Sequence, residues 1–343
     1  MKINNREIGG SNPVYIIAEM SANHLQSYKR AVKIIGSAKL SGADAIKLQT
    51  YTSDTLTLNS NRNEFMISGG TPWDGQTLYE LYSDIYMPWE WQPKLKKIAD
   101  ELGLDLISTT YDITSTDFLE NIVSAYKIAS YELTDLPLIR YTAKKGKPMI
   151  LSTGMAILDE ILDAVNEAGN TDLALLKCTS AYPAPIGNLN LLSITTLIKL
   201  FPDIIIGLSD HSTGYIAPVV AVSLGAKIIE KHFTLCRSDG GPDAQFSIEP
   251  DEFSLMVKYV RETELMLGNS EIGPTENEVP KFRRSLFATK QIRKGEMFSD
   301  SNIRSIRPAD GIKPKFLPDI LGTQANTDIE AGEPLRWEHI SKD

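Results

Sequence analysis

Residues 204–234 read IIIGLSDHSTGYIAPVVAVSLGAKIIEKHFT. The two ends of this stretch, 204–210 and 226–234, are short, apolar and rich in β-branched residues, as expected of parallel strands joined by a helical crossover. Each ends on polar residues: Ser209, Asp210 and His211 at the first, Glu230, Lys231 and His232 at the second. Six runs of the same kind precede them, at 14–20, 43–50, 104–110, 125–130, 147–153 and 173–180. Helical stretches fall between, for example Tyr28–Leu40 and 159–168, and helical apolar spacing recurs after Pro250 in Phe253, Met256, Val257 and Val260. Eight strand-then-helix units in one series predict an α/β fold, a TIM (β/α)₈ barrel rather than an open sheet.

Working outward, two regions break the alternation. Residues 51–86 form a connection far longer than is usual between a barrel strand and its helix. This insertion contains Asn59, Asn63, Gly69, Gly70, Trp73, Asp74, Tyr79 and Tyr82, a mixture suited to gripping a polar sugar above the catalytic face, or equally to a self-packed surface loop. Past the last barrel helix, residues 268–280 are rich in Gly, Pro, Asn and Glu and read as a linker. Short strand-like pieces follow at 286–288 and Ile303–Ile306, with turn signals at Lys294-Gly295 and Ala331-Gly332. The predicted organisation is a barrel over 1–267, a linker over 268–284 and a small β-rich domain over 285–343.

Composition narrows the functional class. With 343 residues, 42% hydrophobic and 23% charged, the chain has the make-up of a globular protein with a sizeable core. A net charge of −9 argues against a general nucleic-acid binder, which needs clustered Lys and Arg. The two cysteines, Cys178 and Cys236, are too far apart for a C-x-x-C pair and suggest neither a disulfide scaffold nor a zinc knuckle. The N-terminal residues lack the succession of a signal peptide and no apolar run is long enough to span a bilayer, so a cytoplasmic protein without membrane or nucleic-acid partners is expected.

Catalytic residues of such barrels lie at strand C-termini. The polar residues there are Glu19; Lys47 and Gln49; Ser108 and Thr109; Lys127, Ser130 and Glu132; Ser152 and Thr153; Lys177 and Thr179; Ser209, Asp210 and His211; and Glu230, Lys231 and His232. Singly, each is as well explained by a satisfied structural hydrogen bond. Together, Lys47 and Lys127 with the hydroxyls of Thr109, Ser130, Ser152 and Ser209 suit a small anion carrying phosphate and carboxylate. Either lysine could instead form a Schiff base, as in some barrel aldolases. His211 and His232 end the last two strands side by side and can hold a divalent cation such as Mn²⁺, Mg²⁺ or Co²⁺ with positions left open for Lewis-acid catalysis. Glu19 and Glu132 are acid/base candidates, and Asp210 is expected to orient an imidazole. His24 and His339 read as structural or surface residues.

The segments IIAEMSANH (16–24), KLQTY (47–51), YKIASYE (126–132), ILSTGM (150–155), LKCTSAYP (176–183), IGLSDHS (206–212) and EKHFTL (230–235) together resemble the sialic acid synthase family. The tail, with Arg293-Lys294-Gly295-Glu296 and IRPADG at 306–311, is similar to that family's antifreeze-like (SAF) domain. The resemblance implies a transferase that condenses phosphoenolpyruvate with an amino-sugar aldehyde. It also implies that Lys47, Thr109, Lys127, Ser130, Ser152 and Ser209 contact phosphoenolpyruvate, that His211 and His232 bind metal, and that Glu19, Glu132 and Lys47 act at the reaction centre. Tyr182 and Asp243 match sugar-side positions. Arg307 matches an arginine that reaches the partner subunit's barrel, so a domain-swapped homodimer is implied. The insertion resembles the branch using 2,4-diacetamido-2,4,6-trideoxy-L-altrose more than the neuraminate or legionaminate branches. Two departures stand out: Leu25-Gln26 replaces a small-residue and glycine step, and Ser180 stands where some members have Asn. A non-enzymatic alternative, a sugar- or ice-binding tail on an inert barrel, would make the polar strand ends dispensable.

Overall fold

The computed structural model describes residues 1–68, 74–273 and 279–341. The chain divides into two compact units, Met1–Gly268 and Asn269–Asp343. In the first, a short hairpin of β1 (Lys2–Ile3) and β2 (Arg6–Glu7) precedes eight parallel strands. These are β3 (Tyr15–Glu19), β4 (Ala45–Thr50), β5 (Asp105–Thr110), β6 (Ala125–Ile128), β7 (Met149–Ser152), β8 (Leu173–Cys178), β9 (Ile205–Asp210) and β10 (Ile228–His232). They pair in chain order, and β10 closes on β3 with His232 opposite Glu19. The TIM barrel expected from eight apolar runs is therefore what forms, each strand lying within its run.

Helices shield the barrel because their sequences supply one apolar face each. In α1 (Tyr28–Leu40), Ala31, Ile34, Ile35 and Ala38 are buried, and the Ser27 hydroxyl caps the first turn by accepting from the Arg30 N–H. The other helices of the unit are α2 (Ser53–Leu56), α3 (Leu78–Ile85), α4 (Gln92–Glu101), α5 (Ile113–Leu119), α6 (Leu136–Ala143), α7 (Leu158–Ala168), α8 (Ser193–Leu200), α9 (Ile216–Ser223) and α10 (Pro250–Leu267). Pro250 starts α10 where no N–H is needed, and Phe253, Met256 and Val260 form its buried stripe. Among the described residues no helix is long and apolar enough to cross a membrane.

The two-residue period of a strand divides the barrel's side chains into two sets. One set, including Ile16, Ile46, Leu106, Leu151 and Ile229, packs in the layer shared with the helices. The other points into the barrel, where Tyr15, Ile17, Ala45, Ile107, Ala125, Ile150, Ala174, Leu176 and Ile228 form an apolar plug capped by Ile3 and Ile8. The next inward positions along the same strands are polar: Glu19, Lys47, Thr109, Lys127, Ser152, Ser209 and Glu230. The barrel interior is thus apolar at its floor and ionic at its mouth.

In the second unit, β11 (Ser285–Ala288) and β12 (Ile303–Ile306) pair antiparallel, and a short helix α11 (Leu317–Ile320) joins a core of Leu286, Ile292, Phe298, Ile303, Ile320, Ile329 and Leu335. Gly295, in the turn signalled by Lys294-Gly295, has φ 83°, a conformation costly for any side-chain-bearing residue.

Candidate active site

The polar strand ends and the loops after them enclose a cavity of about 1060 Å³. Lys47, Thr109, Lys127, Ser130, Glu132, Ser152, Tyr182, Ser209, His211, His232 and Asp243 all line it. Lys47 Nζ lies 2.8 Å from Glu19 Oε2 and 3.4 Å from Glu230 Oε1, and donates to Thr109 Oγ1 at 3.2 Å. Lys127 Nζ lies 3.7 Å from Glu230 Oε2 and donates to Ser152 Oγ at 2.7 Å. Ser209 Oγ donates to Glu230 Oε1 at 3.0 Å, while Ser130 Oγ accepts from the Gly154 N–H at 3.1 Å. Two lysines and two glutamates from four strands thus form one buried network. A carboxylate–phosphate ligand entering it would compete with the glutamates for the ammonium groups.

Burial raises the Glu19 pKa to about 7, with Lys47 opposing and Glu230 reinforcing the shift. Burial acts on Glu230 in the same sense, but Lys127 and Lys47 together outweigh it and hold Glu230 below the ordinary carboxylate range. Of this pair, Glu19 is therefore the carboxyl that takes up a proton more readily. Lys47, against burial, is raised by Glu19 and Glu230, whereas burial lowers Lys127 despite Glu230. Glu132, on the 3₁₀ turn Ser130–Glu132 after β6, is raised to about 7 by burial, and its Oε2 has no hydrogen-bond partner.

The rings of His211 and His232 are 5.3 Å apart. His211 Nδ1 lies 2.9 Å from the Thr179 carbonyl, which can only accept, so this nitrogen carries the proton and Nε2 is left with its lone pair. Cys178 Sγ sits 3.7 Å from the same nitrogen. Burial lowers the His211 pKa, but Cys178 and Thr179 raise it further, to a net increase. His232 is held well below the ordinary imidazole range by burial and the neighbouring cations, and its Nδ1 is buried without a hydrogen-bond partner. Among the described residues no group of three or more His, Cys, Asp and Glu is arranged to hold a metal. A neutral, orphaned imidazole beside one whose tautomer is set by a carbonyl fits a two-histidine site completed by water and substrate oxygens.

Several expectations need correction. Asp210 does not orient an imidazole: strand alternation turns it to the outside of the barrel, where Oδ2 meets Lys231 Nζ at 2.6 Å and Oδ1 accepts from the Ser212 N–H and hydroxyl. Lys231, for the same reason, does not face the mouth. Lys177 is also turned away and donates to the Cys178 carbonyl at 2.7 Å, and Thr153 donates to the Leu176 carbonyl. Ser108 lies outward beside Thr50. Of the two readings of the insertion, its described residues fit the self-packed loop better than the polar grip. Asn59 and Asn63 are exposed, Tyr79 donates to Asp54 at 3.0 Å, and among the described residues named there only Tyr82 lines the cavity. Gly69, Gly70 and Trp73 lie outside the described residues.

The Leu25-Gln26 departure has a structural solution. Both residues are left-handed, with φ 48° and 53°. The Gln26 N–H donates to His24 Nδ1 at 3.2 Å and its side chain to the Tyr86 carbonyl at 2.5 Å. Leu25 fills the space where a Cβ on Gly241 would stand, 2.5 Å from Leu25 Cδ2, and Gly241 itself has φ 108°, a conformation costly for any residue with a side chain. His24 is structural, packed edge-on against Trp91 with its pKa lowered by burial to about 4. His339 accepts from the Arg336 N–H within the second unit. Arg307 is an exposed residue of that unit. Ser180 sits beside Cys178, its Oγ 4.0 Å from the sulfur.

Glu230 is the residue that sequence reasoning undervalued. It appeared among the polar strand ends without a role, yet it bridges both lysines. Its inward parity, two residues before His232, was the available signal. Gln49 was undervalued in the same way: its Nε2 donates to Glu19 Oε1 at 3.0 Å and to Ser21 Oγ at 2.9 Å.

Known proteins resemble this chain over nearly its whole length. The NeuB family model matches residues 34–272 and the SAF domain model residues 283–341. The chain is 46% identical to pseudaminic acid synthase of Campylobacter jejuni over 339 residues, covering 96% of this chain and 98% of that protein. It is 36% identical to N,N'-diacetyllegionaminic acid synthase of Legionella pneumophila, covering 98% and 99% of the two chains. The crystal structure of N-acetylneuraminic acid synthetase from Leptospira borgpetersenii superposes with a TM-score of 0.73 at 32% identity, covering 81% of this chain and 93% of the other.

Proposed function

The chain belongs to the NeuB family, and we propose that it condenses phosphoenolpyruvate with 2,4-diacetamido-2,4,6-trideoxy-L-altrose and water to give pseudaminic acid and phosphate. The observation that carries this reading is the pairing of Lys47 and Lys127 with Glu19 and Glu230 in one cavity beside His211 and His232. The higher identity to the Campylobacter synthase than to the legionaminic acid enzyme favours the L-altro sugar.

In this reading Lys47 and Lys127, helped by the hydroxyls of Thr109, Ser130, Ser152 and Ser209, hold the carboxylate and phosphate of phosphoenolpyruvate. Its methylene carbon then attacks the aldehyde carbon, and the cationic centre left at C2 takes a water. Glu132 or Glu19, each with a pKa near neutrality, accepts the proton that this water loses. The tetrahedral centre collapses with cleavage of its carbon–oxygen bond to phosphate. His211 and His232 would hold a divalent cation, Mn²⁺, Mg²⁺ or Co²⁺, which supplies Lewis-acid polarisation of the aldehyde oxygen. Tyr182, whose ring lies 4.3 Å from that of His211, and Asp243 contribute on the sugar side. The working unit is a cytoplasmic homodimer in which Arg307 of one subunit completes the barrel site of the other.

A Schiff-base aldolase is the second reading, favoured by one observation, the lowered pKa of Lys127. The two separate in one assay. Phosphate release from phosphoenolpyruvate that depends on the L-altro sugar and stops on chelation is expected. Trapping of a lysine adduct by borohydride, without phosphate release, would sink the synthase reading.

A further inference from the structure

The catalytic cavity has one wall that ion-pair chemistry does not explain. In α3, Leu78, Leu81, Tyr82 and Ile85 recur at i, i+3, i+4 and i+7, the spacing of a single helix face. All four line the cavity, and Leu56 at the end of α2 joins them. No residue of α3 is fully buried, and none of these side chains belongs to the core between barrel and helices. The polar side of the helix is pinned instead. Thr77 and Glu80 form a reciprocal capping box, Ser83 Oγ lies 2.6 Å from Ser53 Oγ, and Tyr79 is bonded to Asp54. These contacts hold α3 against α2 and leave its apolar stripe facing the cavity. Tyr51 links that stripe to the ionic floor, its ring 5.7 Å from Tyr82 and 5.2 Å from Tyr111.

We propose that Leu56, Leu78, Leu81 and Ile85 form an apolar subsite that receives an alkyl group of the sugar aldehyde and rejects a hydroxyl at that place. The inference rests on the reading of this cavity as a site for an amino-sugar aldehyde. Four aliphatic side chains offer no hydrogen-bond partner, so a sugar hydroxyl held against them would give up its water without replacement. A deoxygenated carbon or an acyl methyl meets no such loss. Because the wall is continuous with the ionic network that would hold phosphoenolpyruvate, its occupant is the second substrate. An apolar pocket discriminates against an added hydroxyl by up to about 100-fold, which sets the scale of the effect.

The test uses the full-length enzyme with phosphoenolpyruvate, comparing kcat/KM for 2,4-diacetamido-2,4,6-trideoxy-L-altrose, its 6-hydroxy counterpart and its 4-amino counterpart lacking the acyl group. Leu81→Thr and Ile85→Thr are measured separately, with Leu81→Met as an apolar control that keeps the helix face. The expected result is a wild-type preference for the trideoxy diacetamido sugar that shrinks by about tenfold or more in the threonine variants and persists in Leu81→Met. The KM for phosphoenolpyruvate stays unchanged. Loss of discrimination against the 6-hydroxy sugar places the C6 methyl in the subsite; loss against the 4-amino sugar places the acyl methyl there. Unchanged ratios in folded variants overturn the subsite alone, as does a loss of dimer without any change in ratio, which would assign the face to a second copy. A wild-type enzyme with no sugar-dependent phosphate release takes down the synthase reading itself.

Discussion

Lys231 Nζ lies 2.6 Å from Asp210 Oδ2 with both side chains wholly buried, so the immediate chain neighbours of His232 and His211 are clamped together on the outer face of the barrel. Lys231 also donates to the Ser212 carbonyl, drawing the loop after β9 onto the end of β10. This outer bond reinforces the pairing of β9 with β10, in which Lys231 stands opposite Asp210, directly beside the two histidines in the chain.

Breaking the clamp should therefore be felt in two ways. Lys231→Met leaves Asp210 buried and unpaired, which costs about 3–5 kcal/mol, seen as a lower midpoint in urea unfolding. Binding of Mn²⁺ by the folded variant should weaken by about 10–100-fold, as for other residues that position metal ligands. The double variant Lys231→Met/Asp210→Asn should recover much of the stability. Single variants with wild-type midpoints would show that the pair does no structural work.

Glu132 makes a prediction about pH. Its folded-state pKa, about 7, lies above the ordinary 4.5, so the folded protein binds a proton that the unfolded chain releases between these values. Stability from this group is fully present below pH 4.5 and is lost as pH rises towards 7, on the order of 1.4 kcal/mol per pKa unit of separation. Glu19 contributes a loss of the same sign. Glu132→Gln should flatten, but not abolish, the fall in unfolding free energy across this window and be more stable than wild type above pH 7. If it is the proton acceptor, turnover drops by about 10²–10⁴-fold in the same variant. An unaltered slope of stability against pH would contradict the assigned burial effect.

The swapped dimer can be tested by complementation. Lys47→Ala removes one cation from the anion site and should raise the KM for phosphoenolpyruvate while depressing turnover. Arg307→Ala should impair handling of the sugar. Mixed after subunit exchange, the two variants form heterodimers with one intact site, and activity should return. A monomer in size-exclusion chromatography, or no recovery despite demonstrated exchange, would leave the tail without a part in the neighbouring site.

The fold was legible because it rests on local, repeating signals. Eight apolar runs mark eight strands, and period-two alternation within each run suffices to put Lys47, Lys127, Glu230 and His232 on one side and Lys231 on the other. Leu25 and Gln26 were recognisable as an anomaly, but not their left-handed backbone or the Gly241 contact that accommodates it.

By itself, then, the sequence determined the barrel, the polar ring at its mouth and the family to which both belong, since these follow from patterns within short segments and from motifs in order. Only the tertiary structure decided who pairs with whom. Glu230 joins lysines that lie 183 and 103 positions earlier in the chain, and Asp210 chooses Lys231 over a histidine because both point into the same dry layer. The insertion is the plainest case: its composition suited a sugar grip or a self-packed loop equally, and it is the bonds of Tyr79 and Ser83 to α2 that leave the leucines of α3 facing the cavity. Such choices depend on burial and on contacts between distant segments, neither of which exists until the barrel has closed.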